Sequence, residues 1–117
     1  INFRVFPSMR FEHFLQLLKN AKFMIGNSSA GVREAPHFGV PTVNLGSRQN
    51  NRVSLPSIIN IDFDLDSIGQ AIQDLEMQSY EKAKIFGDGN SAEKFYKILS
   101  NKKFWTIAKQ KFFVDLK

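Results

Sequence analysis

The chain has 117 residues, 43% of them apolar and 23% charged, with no cysteine. That length supports one core of ordinary domain size, and the missing cysteines exclude disulfides, thiolate metal sites and a Cys nucleophile. The formal charge is +5, but residues 94–117 hold seven Lys and one Asp, so residues 1–93 sum to −1 and the basicity belongs to the tail.

In chain order, Ile1 to Phe6 reads as a short strand that Pro7 ends by withholding a ladder donor. Phe11, Phe14, Leu15, Leu17 and Leu18 recur at helical spacing between polar residues, which predicts an amphipathic helix ending at Asn20. Lys22 to Ile25 is too short for a helix and runs into Gly26, so it is expected as a buried strand reaching a turn. Asn27-Ser28-Ser29-Ala30-Gly31 suits the start of the next helix. That helix should be short and bent, because Pro36 cannot donate to the carbonyl of Val32 and Gly39 with Pro41 forces a stop. Thr42 to Leu45 is a second strand, and the polar, aperiodic stretch Ser47 to Pro56 is a loop of the kind that contacts ligands. Ser57 to Ile61 is a further strand. A helix follows from Asp66 through Ile68, Ala71, Ile72 and Leu75; Gly87 to Asn90 is a turn, and Ser91 is a fitting N-cap for a last helix carrying Phe95, Ile98 and Leu99. Phe104, Trp105, Ile107, Phe112 and Phe113 make an aromatic tail. About four strands alternating with helices describe an α/β fold, a Rossmann-like parallel sheet with flanking helices. No apolar run approaches the roughly 18 residues of a membrane span, and no membrane partner is expected. The start at Ile1, without a signal-peptide pattern, is expected to be a cut from something longer, and the composition is compatible with a cytoplasmic location.

The stretch from Gly26 to Pro41 carries the chemistry. A strand that opens through small residues into a helix aims backbone N–H groups and the positive end of the helix dipole at one point beyond the carboxyl edge of the sheet, which suits a phosphate. Ser28 and Ser29 add hydroxyl donors there, and Ala30 and Gly31 leave room for close approach. Glu34, about a turn inside the helix, can accept both hydroxyls of a ribose. An anion site beside a diol acceptor describes a nucleoside diphosphate. Read without that ligand, the same serines merely cap a helix and Glu34 faces water. Arg33 and Arg48 either clamp phosphates or lie on the surface, and His13 and His37 read as packing residues.

The run GNSSAGVREAPHFGVPTVNLGSRQNNR, residues 26–52, resembles the nucleotide-binding segment of UDP-N-acetylglucosamine 2-epimerases, in particular their hydrolysing branch. FPSMRFEHFLQLLKNAKFMIG upstream is similar to the helix and strand that precede this segment, and FGDGNSAEKFYKIL downstream is similar to the family's closing helix, so the resemblance spans about residues 5–99. The non-hydrolysing branch shows an Asp-Ser-Gly-Gly turn and a Glu-Arg-Pro stretch, where this chain has Asn27-Ser28-Ser29-Ala30 and Gly46-Ser47-Arg48-Gln49. The resemblance implies an enzyme of the GT-B type, two Rossmann-like halves facing across a cleft, with UDP in the C-terminal half. Residues 1–117 would be part of that C-terminal half, inactive alone. The reaction it implies converts a UDP-sugar into UDP and a 2-epimerised amino sugar for sialic or legionaminic acid synthesis, by elimination of UDP and addition of water. By the same resemblance, Ser28, Ser29 and Gly31 belong to the substrate site at the diphosphate, Glu34 takes the ribose and Arg48 the phosphates. The proton-transferring carboxylates stand mainly in the N-terminal half, and neither metal nor cofactor is called for. A GT-B glycosyltransferase is the alternative. The Lys-rich tail raises nucleic acid as a partner, but its Phe spacing fits better a core or a docking face, with a missing N-terminal domain or a second copy as its occupant.

Overall fold

Short β-prone runs bounded by Gly and Pro generate the sheet. The computed structural model describes residues 2–106 and 110. The chain divides into two units between Ile85 and Phe86. In the first, strands β1 (Met24–Gly26), β2 (Thr42–Leu45) and β3 (Ile58–Ile61) lie parallel in the order β1-β2-β3. Met24 pairs with Thr42 and Gly26 with Asn44; Thr42 then pairs with Ile58 and Asn44 with Asn60. Helix α1 (Phe11–Lys19) precedes β1, α2 (Ala30–Arg33) and α3 (Ala35–Phe38) join β1 to β2, and α4 (Leu65–Glu76) follows β3. The step from β2 to β3 is made by residues 46–57 without a helix, close to the minimum of about a dozen residues for a parallel crossover.

Alternation along β2 sends its side chains to two layers. Val43 packs with Ala71 and Leu75 of α4, joined by Phe23, Leu45, Ile59, Ile61, Ile72 and Tyr80. Thr42 points the other way, its hydroxyl donating to the Gly31 carbonyl at 2.9 Å. A second cluster, Leu18, Ala35 and Val40 with Phe14, Ala21, Met24 and Phe38, seats α1 against α3. The unit is therefore an α/β layer structure with a three-stranded parallel sheet flanked by helices.

Several expectations are corrected. Ile1 lies outside the described residues, and Asn2 to Phe6 forms no strand, with Phe3 82% and Val5 89% exposed. β-prone residues become a strand only when a neighbouring strand takes their hydrogen bonds, so the sheet holds three strands among the described residues rather than four. β1 is shorter than the expected buried strand, and Ile25 within it is exposed. α4 begins one residue before Asp66, at Leu65, and Ser91 is the first residue of its helix, with Asn90 before it.

The residue that caps α4 is Asp64, whose Oδ1 accepts from the Ser67 N–H at 2.8 Å. Hydrogen bonds from the Ser67 side chain and then its backbone hold the Asp64 carboxyl below its ordinary value. A carboxyl lowered in the folded state stabilises above its unfolded pKa, and that stabilisation is lost as pH falls through the folded pKa. Asp64→Ala should therefore melt earlier than the wild type at neutral pH, with the gap closing as acidification protonates the cap. Thermal melts over a pH series check this; a gap independent of pH would remove the charge from the explanation.

The second unit contains α5 (Ser91–Ser100) and a 3-10 helix (Lys102–Thr106). Trp105 Nε1 donates to the Leu99 carbonyl at 2.8 Å, and the Phe104 and Trp105 rings meet edge to face at 5.2 Å. Lys94 pairs with Asp88 and Lys97 with Glu93 on the surface. No residue of α5 is buried, and Phe95, Tyr96, Ile98 and Trp105 are all more than half exposed. The tail residues Ile107, Phe112 and Phe113 lie outside the described residues. Apolar exposure on this scale predicts concentration-dependent self-association of the chain. Sedimentation velocity across a dilution series measures it, and a strictly monomeric chain would remove the argument. Among the described residues no helix is long and apolar enough to cross a membrane.

Candidate functional site at the carboxyl edge of the sheet

β1 ends at Gly26, whose φ of 143° lies where a side chain is strongly disfavoured. The chain turns there and exposes Asn27 and Ser28, with Ser29 half-buried. Ser28 Oγ accepts from the Ala30 N–H at 3.3 Å, and the Ser28 carbonyl accepts from the Gly31 N–H at 3.1 Å. The Ser29 carbonyl accepts from both Val32 and Arg33. Ser29 is the residue before α2, but its side chain makes no cap bond. The expected capping serines thus form a local hydroxyl turn at Ser28, and the Ser29 hydroxyl is not spent on the helix.

The bend in the following helix has the expected cause. Glu34 separates α2 from α3 in helical geometry, φ −86° and ψ −43°, and Pro36 in the first turn of α3 has no N–H for Val32. Gly39, at φ 75°, closes α3 in the left-handed conformation. Gly31 is buried, and a Cβ there would stand 2.6 Å from Thr42 Cγ2, so its bareness is what lets α2 lie against β2. Glu34 is half-buried, a turn along from the serines, and its N–H donates to the Ala30 carbonyl.

Beyond β2 the chain turns at Gly46 into the polar loop. Arg48 is exposed, whereas the adjacent Gln49 is only 2% exposed and donates from Nε2 to the Asn27 carbonyl at 2.8 Å. Asn44, fully buried on β2, donates from Nδ2 to Asn60 Oδ1 at 2.7 Å. The remaining amide oxygens of Asn44 and Gln49 are buried acceptors with no partner among the described residues. A cleft of about 430 Å³ opens beside them, lined by Gln49, Asn50, Asn51, Arg52, Ser54 and Asn60 among others.

Ser28, Ser29, Gly31 and Glu34 thus share one turn and its helix, and the Gln49 bond ties the loop bearing Arg48 to that turn. His13 and His37 are exposed, His37 meeting Phe38 edge to face. Gln49 and Asn44 were not among the expected site residues. The signals for them were an Asn inside an apolar strand and a Gln in a loop of the kind that contacts ligands. No group of three or more His, Asp and Glu among the described residues is placed to hold a metal.

A three-stranded parallel sheet flanked by helices makes this a parallel α/β protein, a class in which ligands commonly bind at the carboxyl edge of the sheet. Comparison with known proteins narrows it. The profile of the UDP-N-acetylglucosamine 2-epimerase family matches residues 1–100. A UDP-N-acetylglucosamine 2-epimerase of Neisseria meningitidis serogroup B is 47% identical over 97% of this chain and 31% of its own length. A UDP-N,N'-diacetylbacillosamine 2-epimerase (hydrolyzing) of Legionella pneumophila is 33% identical over 82% of this chain and 26% of its own. Polysialic acid biosynthesis protein P7 of Escherichia coli is 39% identical over 60% of this chain and 18% of its own. The chain belongs to the UDP-N-acetylglucosamine 2-epimerase family. It spans less than a third of the length of these curated relatives.

Proposed function

We propose that this chain is the UDP-binding part of the C-terminal half of a hydrolysing UDP-N-acetylglucosamine 2-epimerase of the GT-B type, working in the cytoplasm. The observation that carries the reading is the turn Gly26 to Gly31, with hydroxyls at Ser28 and Ser29 and a carboxylate at Glu34. A diphosphate at the turn would take the serine hydroxyls and Arg48, charge-assisted bonds of the stronger kind. Glu34 would accept the two ribose hydroxyls, which fixes the nucleoside and so the direction in which the sugar leaves the site. In the parent enzyme, the C2 proton of the sugar is removed and UDP departs from C1, giving a glycal; water then adds at C1 and a proton returns to C2 on the opposite face. The acid and base of those steps belong mainly to the other half, and this chain's residues would hold the departing UDP and its charge. The relative named for a hydrolyzing epimerase and the one named for polysialic acid biosynthesis support a free 2-epimerised amino sugar, destined for sialic or legionaminic acid, as product. The glycosyltransferase alternative is not carried further, since the profile and the relatives are those of epimerases.

Calorimetric titration of the chain with UDP and with UMP tests the site without needing turnover. UDP should bind measurably and more tightly than UMP, and the absence of heat or amide shifts at millimolar UDP would defeat the reading. Glu34→Gln provides a finer test. It should weaken UDP by roughly tenfold, the loss of charge on a bonded acceptor, and leave inorganic pyrophosphate unaffected. Equal losses for both ligands would make Glu34 a structural residue.

A further inference from the structure

The bond from Gln49 to the Asn27 carbonyl joins residues 22 apart in sequence and runs from a buried side chain to an exposed corner. It is the link between the loop that bears Arg48 and the corner that bears Ser28 and Ser29. We propose that Gln49 is a positioning residue: by holding the Asn27 carbonyl it sets the Gly26–Asn27 corner, and with it the orientation of Ser28 and Ser29 toward a nucleoside diphosphate. This deepens the nucleotide reading above and rests on it.

Three observations support the assignment. Asn27 follows the residue at which β1 leaves the sheet, and Gly26 at φ 143° is a corner that its own backbone does not stiffen. The Asn27 carbonyl takes its donor from the loop after β2, so this bond sets the corner and the loop together. The neighbouring strand residue, Asn44, is paired with Gly26 in the sheet and is a second buried amide, engaged with Asn60. Gln49 also meets a chemical requirement that its isostere does not. An amide donates to a carbonyl, whereas an ionised carboxylate at the same place cannot donate and would set a buried negative charge beside the anion's turn. The exposed Arg48 next to it points to the same division of labour, one residue for the ligand and one for the frame.

The test uses the 117-residue chain with two variants and two readouts. In Gln49→Met, which keeps the volume and removes the bond, amide hydrogen exchange at Ala30 and Gly31 should rise roughly tenfold, with the α4 amides unchanged. NMR titration should show UDP weakened about tenfold and uridine less than about twofold, because only the diphosphate reads the corner. Gln49→Glu should show the same selective loss at neutral pH and recover toward wild type as acidification protonates the carboxyl and restores a donor, with UDP affinity taken relative to the wild type at each pH. A residue that merely stabilised the fold would lower UDP and uridine together, and its loss would raise exchange at the α4 amides as well. Unchanged exchange and unchanged UDP affinity in both variants overturn the role of Gln49 while leaving the UDP site standing. A wild-type chain that ignores UDP overturns the nucleotide site itself, and the ligand role of Gln49 with it, whatever the exchange data show. Should Gln49→Met fail to fold, amide exchange at Ala30 and Gly31 set against the α4 amides in Gln49→Glu decides: a rise confined to the turn supports the role, and a uniform rise overturns it.

Discussion

Replacing Ser28 and Ser29 together by Ala is expected to reduce UDP affinity by a factor on the order of a hundred, with the fold essentially intact. Each hydroxyl bond to a charged phosphate is worth about 1.5–3 kcal/mol, or roughly tenfold to a hundredfold. Their joint removal falls short of the sum because two donors on one turn share a ligand. Folding should be little disturbed. Ser29 makes no side-chain cap bond, and Ser28 contributes a long 3.3 Å contact to the Ala30 N–H while the backbone bonds of the turn remain. The two single variants separate the hydroxyls: Ser29→Ala should cost binding and almost no stability, and Ser28→Ala should cost both. UDP affinity and thermal melts on the same samples check this. Unchanged UDP affinity in the double variant would move the phosphates away from this turn.

Gly31→Ala is expected to destabilise the chain by up to about 2 kcal/mol, despite placing a better helix former in α2. The preference of a helix interior for Ala over Gly is worth about 1 kcal/mol, and overpacking a close-packed contact costs about 1–3 kcal/mol. Overpacking wins here because the new Cβ would lie 2.6 Å from Thr42 Cγ2 and 3.4 Å from its Oγ1. Thr42 is 1% exposed on the central strand and is held by its hydroxyl bond to the Gly31 carbonyl, so it has nowhere to move. Thr42→Ser removes the offending methyl and keeps the hydroxyl. The double variant Gly31→Ala with Thr42→Ser should therefore recover most of the loss, a non-additive pair in a denaturation cycle. Additive losses would show that Gly31 is needed for its backbone and not for the space it leaves. Because α2 carries the turn, UDP affinity should fall in the single variant and return in the double.

The elements around the site were readable from residue chemistry because their causes are local. Pro36 lacks a donor for Val32, Gly39 permits a left-handed cap, and Gly26 permits the corner, so the bent helix between two short strands was legible from residue chemistry alone. The periodicity of Phe14, Leu15 and Leu18, and of Ile68, Ala71, Ile72 and Leu75, placed α1 and α4 in the same way. Family membership also lay in the order of residues 26–52, since that run carries its resemblance without any coordinate. Tertiary structure decided what depends on partners distant in the chain. Asn2 to Phe6 has strand-forming residues and forms no strand, because pairing is supplied by a neighbour and not by propensity. Gly31 reads in sequence as room for a ligand, but its missing side chain faces Thr42, eleven residues on, a proximity created only when β2 lies beside β1. Gln49 reads in sequence as one polar side chain among several in a loop of the kind that contacts ligands; the crossover from β2 to β3 folds it back onto the Asn27 carbonyl and buries it. A hydrogen bond between residues so far apart leaves no periodicity in the sequence, which is why the residue that ties the loop to the turn had to be found in the fold.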